Sequence, residues 1–176
     1  SGKLLTNLSA REIDELFARM DAVGLELGHP ALDWHSHYWH VVMVRSPSFS
    51  MRCADFVELM GPVFSRRFLE RCLPTFDANL SGWGLSFVWP HMLGPGLQRC
   101  AIIDDATVTH TRPFGGPTYD LLRKLGRDPR DESRELIAAL QAANILVDVA
   151  EISGLPSDLA ALSEYVSVVL VNVPAS

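Results

Sequence analysis

Cysteine is scarce in this sequence: Cys53, Cys72 and Cys100 are the only three among 176 residues. They are too few and too scattered for a disulfide framework, and no C-x-x-C pair suggests a zinc site. A reducing, cytoplasmic setting is the expectation, and no signal-peptide pattern opens the chain. Long apolar runs are missing too. The longest candidate, Tyr165–Val173, is strand-sized, far short of the roughly 20 residues that cross a bilayer, so no membrane span is expected. Basic charge is also short, with 15 Lys+Arg against 21 Asp+Glu for a net charge of -6. A nucleic-acid binder normally carries a basic face, so nucleic acid is disfavoured as a partner. Glycine-rich phosphate loops of the Walker or Rossmann type are absent, and neither Ser65 nor Ser86 sits in a G-x-S-x-G elbow. There is no internal repeat and no low-complexity segment.

What remains is a chain of one-domain size, 48% hydrophobic and 20% charged, which is the composition of a folded globular protein. Ser9-Ala10-Arg11-Glu12 has the spacing of a capping box. Ile13, Leu16, Phe17 and Met20 follow at helical spacing until Gly24 stops the run. Leu25–Leu32 reads as a short strand whose pairing ends at Pro30, and the aromatic, β-branched Tyr38–Val44 as a second strand. Cys53–Phe64 reads as a strand broken at Gly61–Pro62, and Ser65 caps a helix reaching Phe76. Leu85–Leu93 is helix or strand, with Pro90 leaving the choice open. Cys100–Ile103 reads as a buried strand running into Asp104-Asp105 and extended by Thr107–His110. Helices follow at Tyr119–Leu125 and Glu132–Ala143, then a tail with a short helix at Ser157–Leu162 and a final strand. Separated strands and helices of this kind make an α/β or α+β fold.

Three constellations could carry chemistry. His35 and His37, spaced to share one face of a strand, stand with His29, His40 and Asp33 and suit zinc or another transition metal; they equally suit a hydrogen-bonded aromatic loop. Ser81-Gly82-Trp83-Gly84 allows close backbone approach and offers an indole for stacking on a sugar ring, or forms a tight turn with a core Trp. Asp104 and Asp105, followed by His110, could hold a divalent metal that neutralises a diphosphate, or form a solvated turn beside a core histidine.

Four segments in order, residues 24–33 (GLELGHPALD), 55–69 (DFVELMGPVFSRRFL), 81–90 (SGWGLSFVWP) and 102–116 (IIDDATVTHTRPFGG), resemble the family labelled domain of unknown function 707, known from plants and bacteria. That family in turn resembles GT-A fold glycosyltransferases. The likeness covers about residues 5–126, the acceptor-side part, and leaves 127–176 as a C-terminal helix and strand extension. It implies an α/β fold with a partial GT-A-like mixed sheet flanked by helices. It further implies a nucleotide-sugar donor, an unknown acceptor, and Mn or Mg held by His110 with Asp104 and Asp105. Trp83 and Gly84 become a sugar-facing wall, and His35, His37 and Trp39 line the acceptor side. The family's GWG-x-D here reads Gly82-Trp83-Gly84-Leu85-Ser86, and a hydroxyl cannot replace a carboxylate as general base near neutral pH. Glu58 is the remaining acid in a family-like motif, so Glu58 and Ser86 are the catalytic candidates. The family's upstream acidic cluster would lie just before Ser1-Gly2-Lys3, so the nucleotide-binding half is expected outside these residues. The alternative is a non-catalytic binding or scaffold domain with a GT-A-like shell, and a third reading is a metal module of His35, His37 and His40. An open strand edge predicts self-association, a homo-oligomer.

Overall fold

A computed structural model of the chain describes residues 4–5, 8–94, 99–113, 115 and 117–142. The expected tail elements after residue 142 lie outside the described residues. The fold is α/β: a five-stranded mixed sheet flanked by helices. Its centre is the parallel pair β2 (Leu27–Leu32) and β5 (Cys100–His110). Strand β4 (Val63–Phe64) pairs antiparallel with β2, while β1 (Leu4–Leu5) and β3 (Arg52–Cys53) pair antiparallel with different stretches of β5.

Helix α1 (Ala10–Val23) forms where the capping box predicts it. The Ser9 side chain accepts from the Glu12 N–H, Glu12 reaches back to Ser9, and Gly24 ends the helix in a left-handed conformation. Leu16 and Met20 are its buried face, each adding about 1.5–3 kcal/mol by leaving water. They pack with Leu25, Ala101 and Ile103. A Cβ at Gly28 would lie 3.1 Å from Ile103 Cδ1 and 3.3 Å from Met20 Sδ, so a bare glycine is what lets α1 approach the sheet. On β5 the alternate residues Cys100 and Ile102 belong to the other clusters. Being covered on both faces is why Cys100–Ile103 is a continuous apolar run rather than an alternating one.

The second face is covered by α2 (Arg66–Cys72), a 3-10 turn (Leu73–Asp77) and α3 (Leu85–Met92). Ser65 caps α2 as expected. The Leu85 segment is helical, and it carries Pro90 near its end, where Trp89 is almost fully buried among Leu27, Val57 and Phe68. Helices α4 (Pro117–Lys124) and α5 (Pro129–Ala142) follow. Leu136 of α5 packs against the cluster built by α2 and α3.

Three expectations are corrected. Tyr38–Val44 is not a strand but a loop ending in a 3-10 turn, Val41–Met43, with one bridge from Leu32 to Val44. Met43 is fully buried beside Leu32 and Phe56 while Val41 is exposed, so packing at single positions overrides β propensity. Cys53–Phe64 is not a long strand either. Two short strands close its ends, and the loop between them buries Phe56, Val57 and Glu58. Asp104 and Asp105 form no solvated turn: they lie inside the eleven-residue β5. The pairing with β2 jumps there from Pro30↔Ile103 to Ala31↔Thr107, because Pro30 offers no N–H to the ladder. Both aspartate N–H groups donate instead to Ser50 O.

Candidate functional site

The carboxyl ends of β2 and β5 lie side by side, and a cleft of about 610 Å³ opens where the chain leaves them. Ligands of open α/β sheets collect at this edge. The segment after β2 brings Trp39 and His40, the β3–β4 loop brings Phe56 and Glu58, and β5 ends in His110. The start of α3 brings Trp83, Gly84, Ser86 and Phe87, and Tyr119 on α4 closes the rim. Of the residues singled out in the sequence, Trp39, Glu58, Trp83, Gly84, Ser86 and His110 therefore meet in one cleft.

The aromatic wall is continuous. Trp39 and Trp83 meet edge-on with ring centroids 6.2 Å apart, and Trp83 meets Tyr119 in the same way at 6.2 Å. Burial raises the Tyr119 phenol above its ordinary range, against the opposing effect of its hydrogen bond with Trp83. The loop carrying Trp83 is tied from within. Asn79 accepts from Gly82 N at 2.7 Å and donates to Trp83 O at 2.8 Å, and Ser81 Oγ accepts from Trp83 N at 3.1 Å. Gly84 sits at φ 96, with an ideal Cβ position 3.0 Å from Leu136 Cδ2. Both the left-handed backbone and the approach of α5 require glycine there.

Two buried carboxyls serve this cleft in opposite states. Glu58 is 5% exposed and accepts the His40 N–H at 3.1 Å. Burial raises it to about 7, a rise that hydrogen bonds from the His40 and Trp39 main chain only partly oppose. Glu132 is equally buried but takes the Ser81 N–H at 2.9 Å. There burial also pulls upward, yet the bonds from Ser81 and Leu80 and the charge of Arg127 win, leaving Glu132 below its ordinary value. One carboxyl can exchange a proton at neutral pH and the other is a fixed anion, a division set by donor count. Glu132→Gln should therefore loosen the 79–84 loop at a cost of about 1–3 kcal/mol, the penalty for a buried donor losing its full partner. Urea denaturation at pH 7 measures it, and a difference within error would refute this role for Glu132.

His40 is held to about 4 by burial, its ring lies 4.3 Å from that of Phe56, and its Nδ1 has no hydrogen-bond partner among the described residues. It is a neutral imidazole at pH 7. His110 Nδ1 lies 2.7 Å from the His37 carbonyl, which can only accept, so Nδ1 carries a proton.

His35 and His37 do not line the cleft. They belong to a turn built on Asp33, whose Oδ1 accepts the His35 N–H at 2.8 Å. Nor do Asp104, Asp105 and His110 converge. His110 stands six residues along β5 from Asp104, about 20 Å at the usual rise of a strand. Asp104 is fully buried and held bidentately by Arg52 at 2.8 and 2.9 Å, and Asp105 pairs with Arg19. Among the described residues no three His, Cys, Asp or Glu side chains are grouped to hold a metal. The donors expected for Mn or Mg, and the histidine triad expected for zinc, therefore do not form a set here. Burial pushes the thiols of Cys72 and Cys100 up to about 11 and about 12, which keeps both neutral. Among the described residues no helix is long and apolar enough to cross a membrane.

The sequence reading missed Tyr119, Phe56 and Phe87 as cleft residues. Only the GWG segment hinted at an aromatic wall, and no local spacing announces that helix α4 will fold back onto it. No family model, curated protein or solved structure matches the chain.

Proposed function

We propose that the cleft is the acceptor side of a glycosyltransferase-like site, in which a sugar from a nucleotide-sugar donor is transferred to a hydroxyl. The observation that carries this reading is Glu58: a carboxyl raised to about 7 at the base of an aromatic-walled cleft. A base poised near the working pH is suited to taking a hydroxyl proton. Trp83, with Trp39 and Tyr119 at its edges, gives an apolar surface for a sugar ring. In the reaction, Glu58 takes the proton as the acceptor oxygen bonds to the anomeric carbon of the donor. The bond from that carbon to the diphosphate oxygen breaks, and its electron pair leaves with the nucleoside diphosphate. Ser86 and the neutral His40 orient the hydroxyl, the first being no base near neutral pH and the second a weaker base than Glu58. No step is routed through Mn or Mg, for which the donors do not assemble. The order of the four family-like segments supports the reading, and Ser86 in the place of the family's carboxylate favours the second one, a saccharide-binding domain without chemistry.

Calorimetric titration of a panel of nucleotide sugars, paired with an assay for released nucleoside diphosphate, tests both. Saccharide binding that weakens about tenfold in Trp83→Ala, a loss of about 1.4 kcal/mol, together with release that depends on Glu58, is the expected result. Binding without release selects the binding domain. If no saccharide binds, or if Trp83→Ala binds as well as the native chain, the reading fails.

A further inference from the structure

A second cleft, of about 370 Å³, adjoins the first and shares Trp39, Trp83, Gly115 and Tyr119 with it. Its other walls differ in character. Arg123, Arg127 and Arg130 line it, against Asp128 as the one carboxylate. The concentration is unusual for this protein, whose net charge is -6. Asp128 is committed to the start of α5: its side chain accepts the Arg130 N–H at 2.8 Å and its carbonyl accepts from Asp131 and Glu132. Arg123 shares its charge with the exposed Asp120. Arg127 answers the charge of the buried Glu132, and no carboxylate is in ion-pair contact with Arg130 among the described residues.

We infer that this arginine-lined cleft is a diphosphate subsite, contiguous with the sugar cleft across the Trp39–Trp83–Tyr119 wall. The inference rests on the sugar reading of the first cleft and adds the donor group to it. Three guanidinium groups around one small cavity match a diphosphate in charge and in geometry, because each planar fork can give two parallel N–H bonds to phosphate oxygens. A sugar stacked on Trp83 would carry its diphosphate into the next compartment without leaving the aromatic wall. The arginines supply fixed positive charge where negative charge develops on the departing diphosphate.

The test is titration of inorganic pyrophosphate into the full chain in EDTA-containing buffer at low salt. Pyrophosphate should bind more tightly than inorganic phosphate, and binding should fall as NaCl is raised. The double variant Arg127→Ala/Arg130→Ala should weaken it about tenfold or more, and Arg127→Lys/Arg130→Lys should recover part of the loss by restoring charge without the fork. Arg134→Ala removes one guanidinium of α5 that lies outside the cleft and should change nothing. These side chains are exposed, and the thermal midpoint of each variant checks that the fold is kept. Absence of pyrophosphate binding, equal affinity for phosphate, or equal losses in the Arg127/Arg130 and Arg134 variants would overturn the subsite. Trp83→Ala separates the two readings. Pyrophosphate bound through the arginines with no saccharide bound at Trp83 sinks the sugar cleft alone, and saccharide bound without pyrophosphate sinks the subsite alone.

Discussion

Asp104→Ala should cost the fold about 3–5 kcal/mol, the range for removing one partner of a buried ion pair and stranding the other. Asp104 has no exposed surface, and its two oxygens take the Nε and Nη2 protons of Arg52 and the Ser46 N–H at 2.6 Å. The same guanidinium donates to the Val42 and Val44 carbonyls, each at 2.9 Å. One pair thus fastens the end of the loop after β2, the β3 strand and the irregular middle of β5. Without the carboxylate, Arg52 keeps its carbonyls but loses its counter-charge in a site only 23% exposed. The double substitution Asp104→Leu/Arg52→Met should cost less than Asp104→Ala, since it strands no charge. Urea denaturation at pH 7, with and without added Mn or Mg, measures the change. A loss below about 1 kcal/mol, the ordinary scale of an exposed pair, would refute the structural role. A loss that vanished when the divalent ion was omitted would make Asp104 a metal ligand after all.

The Asp104 network also explains why the sequence was legible in some places and misleading in others. Helix α1 was readable because everything that defines it is local: Ser9, Glu12 and Gly24 act within one turn of where they stand. The strand at Cys100–Ile103 was readable for a similar reason, since burial on both faces leaves an apolar run. Asp104-Asp105 invited a metal site because a pair of carboxylates beside a strand is the local pattern of one. What decides their roles is far away in the chain: Arg52, brought to β5 by a two-residue strand, takes Asp104, and Arg19 takes Asp105. Tyr38–Val44 has the residues of a strand, yet among the described residues its one strand bridge is Leu32 to Val44. The candidate site follows the same rule. Gly82-Trp83-Gly84 was legible as a turn presenting an indole, and Glu58 as an acid in a family-like segment. That Glu58 is sealed under His40 and Phe56, and that α4 and α5 bring Tyr119 and Glu132 to the same loop, is tertiary information with no local spacing.

Glu58→Gln should make the protein more stable at pH 8 while abolishing transfer. The folded state raises Glu58 from 4.5 to about 7, so between these values it binds a proton that the unfolded chain has released. Stability is therefore undiminished by this group below pH 4.5, declines as pH rises through about 7, and stays reduced above it. At about 1.4 kcal/mol per tenfold change in proton affinity, the span corresponds to about 3 kcal/mol. Glutamine keeps the volume and its carbonyl can accept the His40 N–H, but it has no charge to bury, so the variant should lack the decline. The two denaturation midpoints should nearly coincide at pH 4, where Glu58 is protonated in the folded and mostly protonated in the unfolded chain, and separate at pH 8 with the variant higher. Transfer should rise through pH 7 in the native chain, as the base ionises, and fall about 10²–10⁴-fold in Glu58→Gln, the usual worth of a positioned base. A residue kept only for packing would show neither effect. Equal midpoints at pH 8 would mean that Glu58 is paired or solvated, and the cleft would then have no base. Higher stability with activity intact would keep the buried carboxyl but move the proton transfer to another group. The expected combination, stability gained where activity is lost, is what a carboxyl held unfavourably for the sake of its chemistry must show.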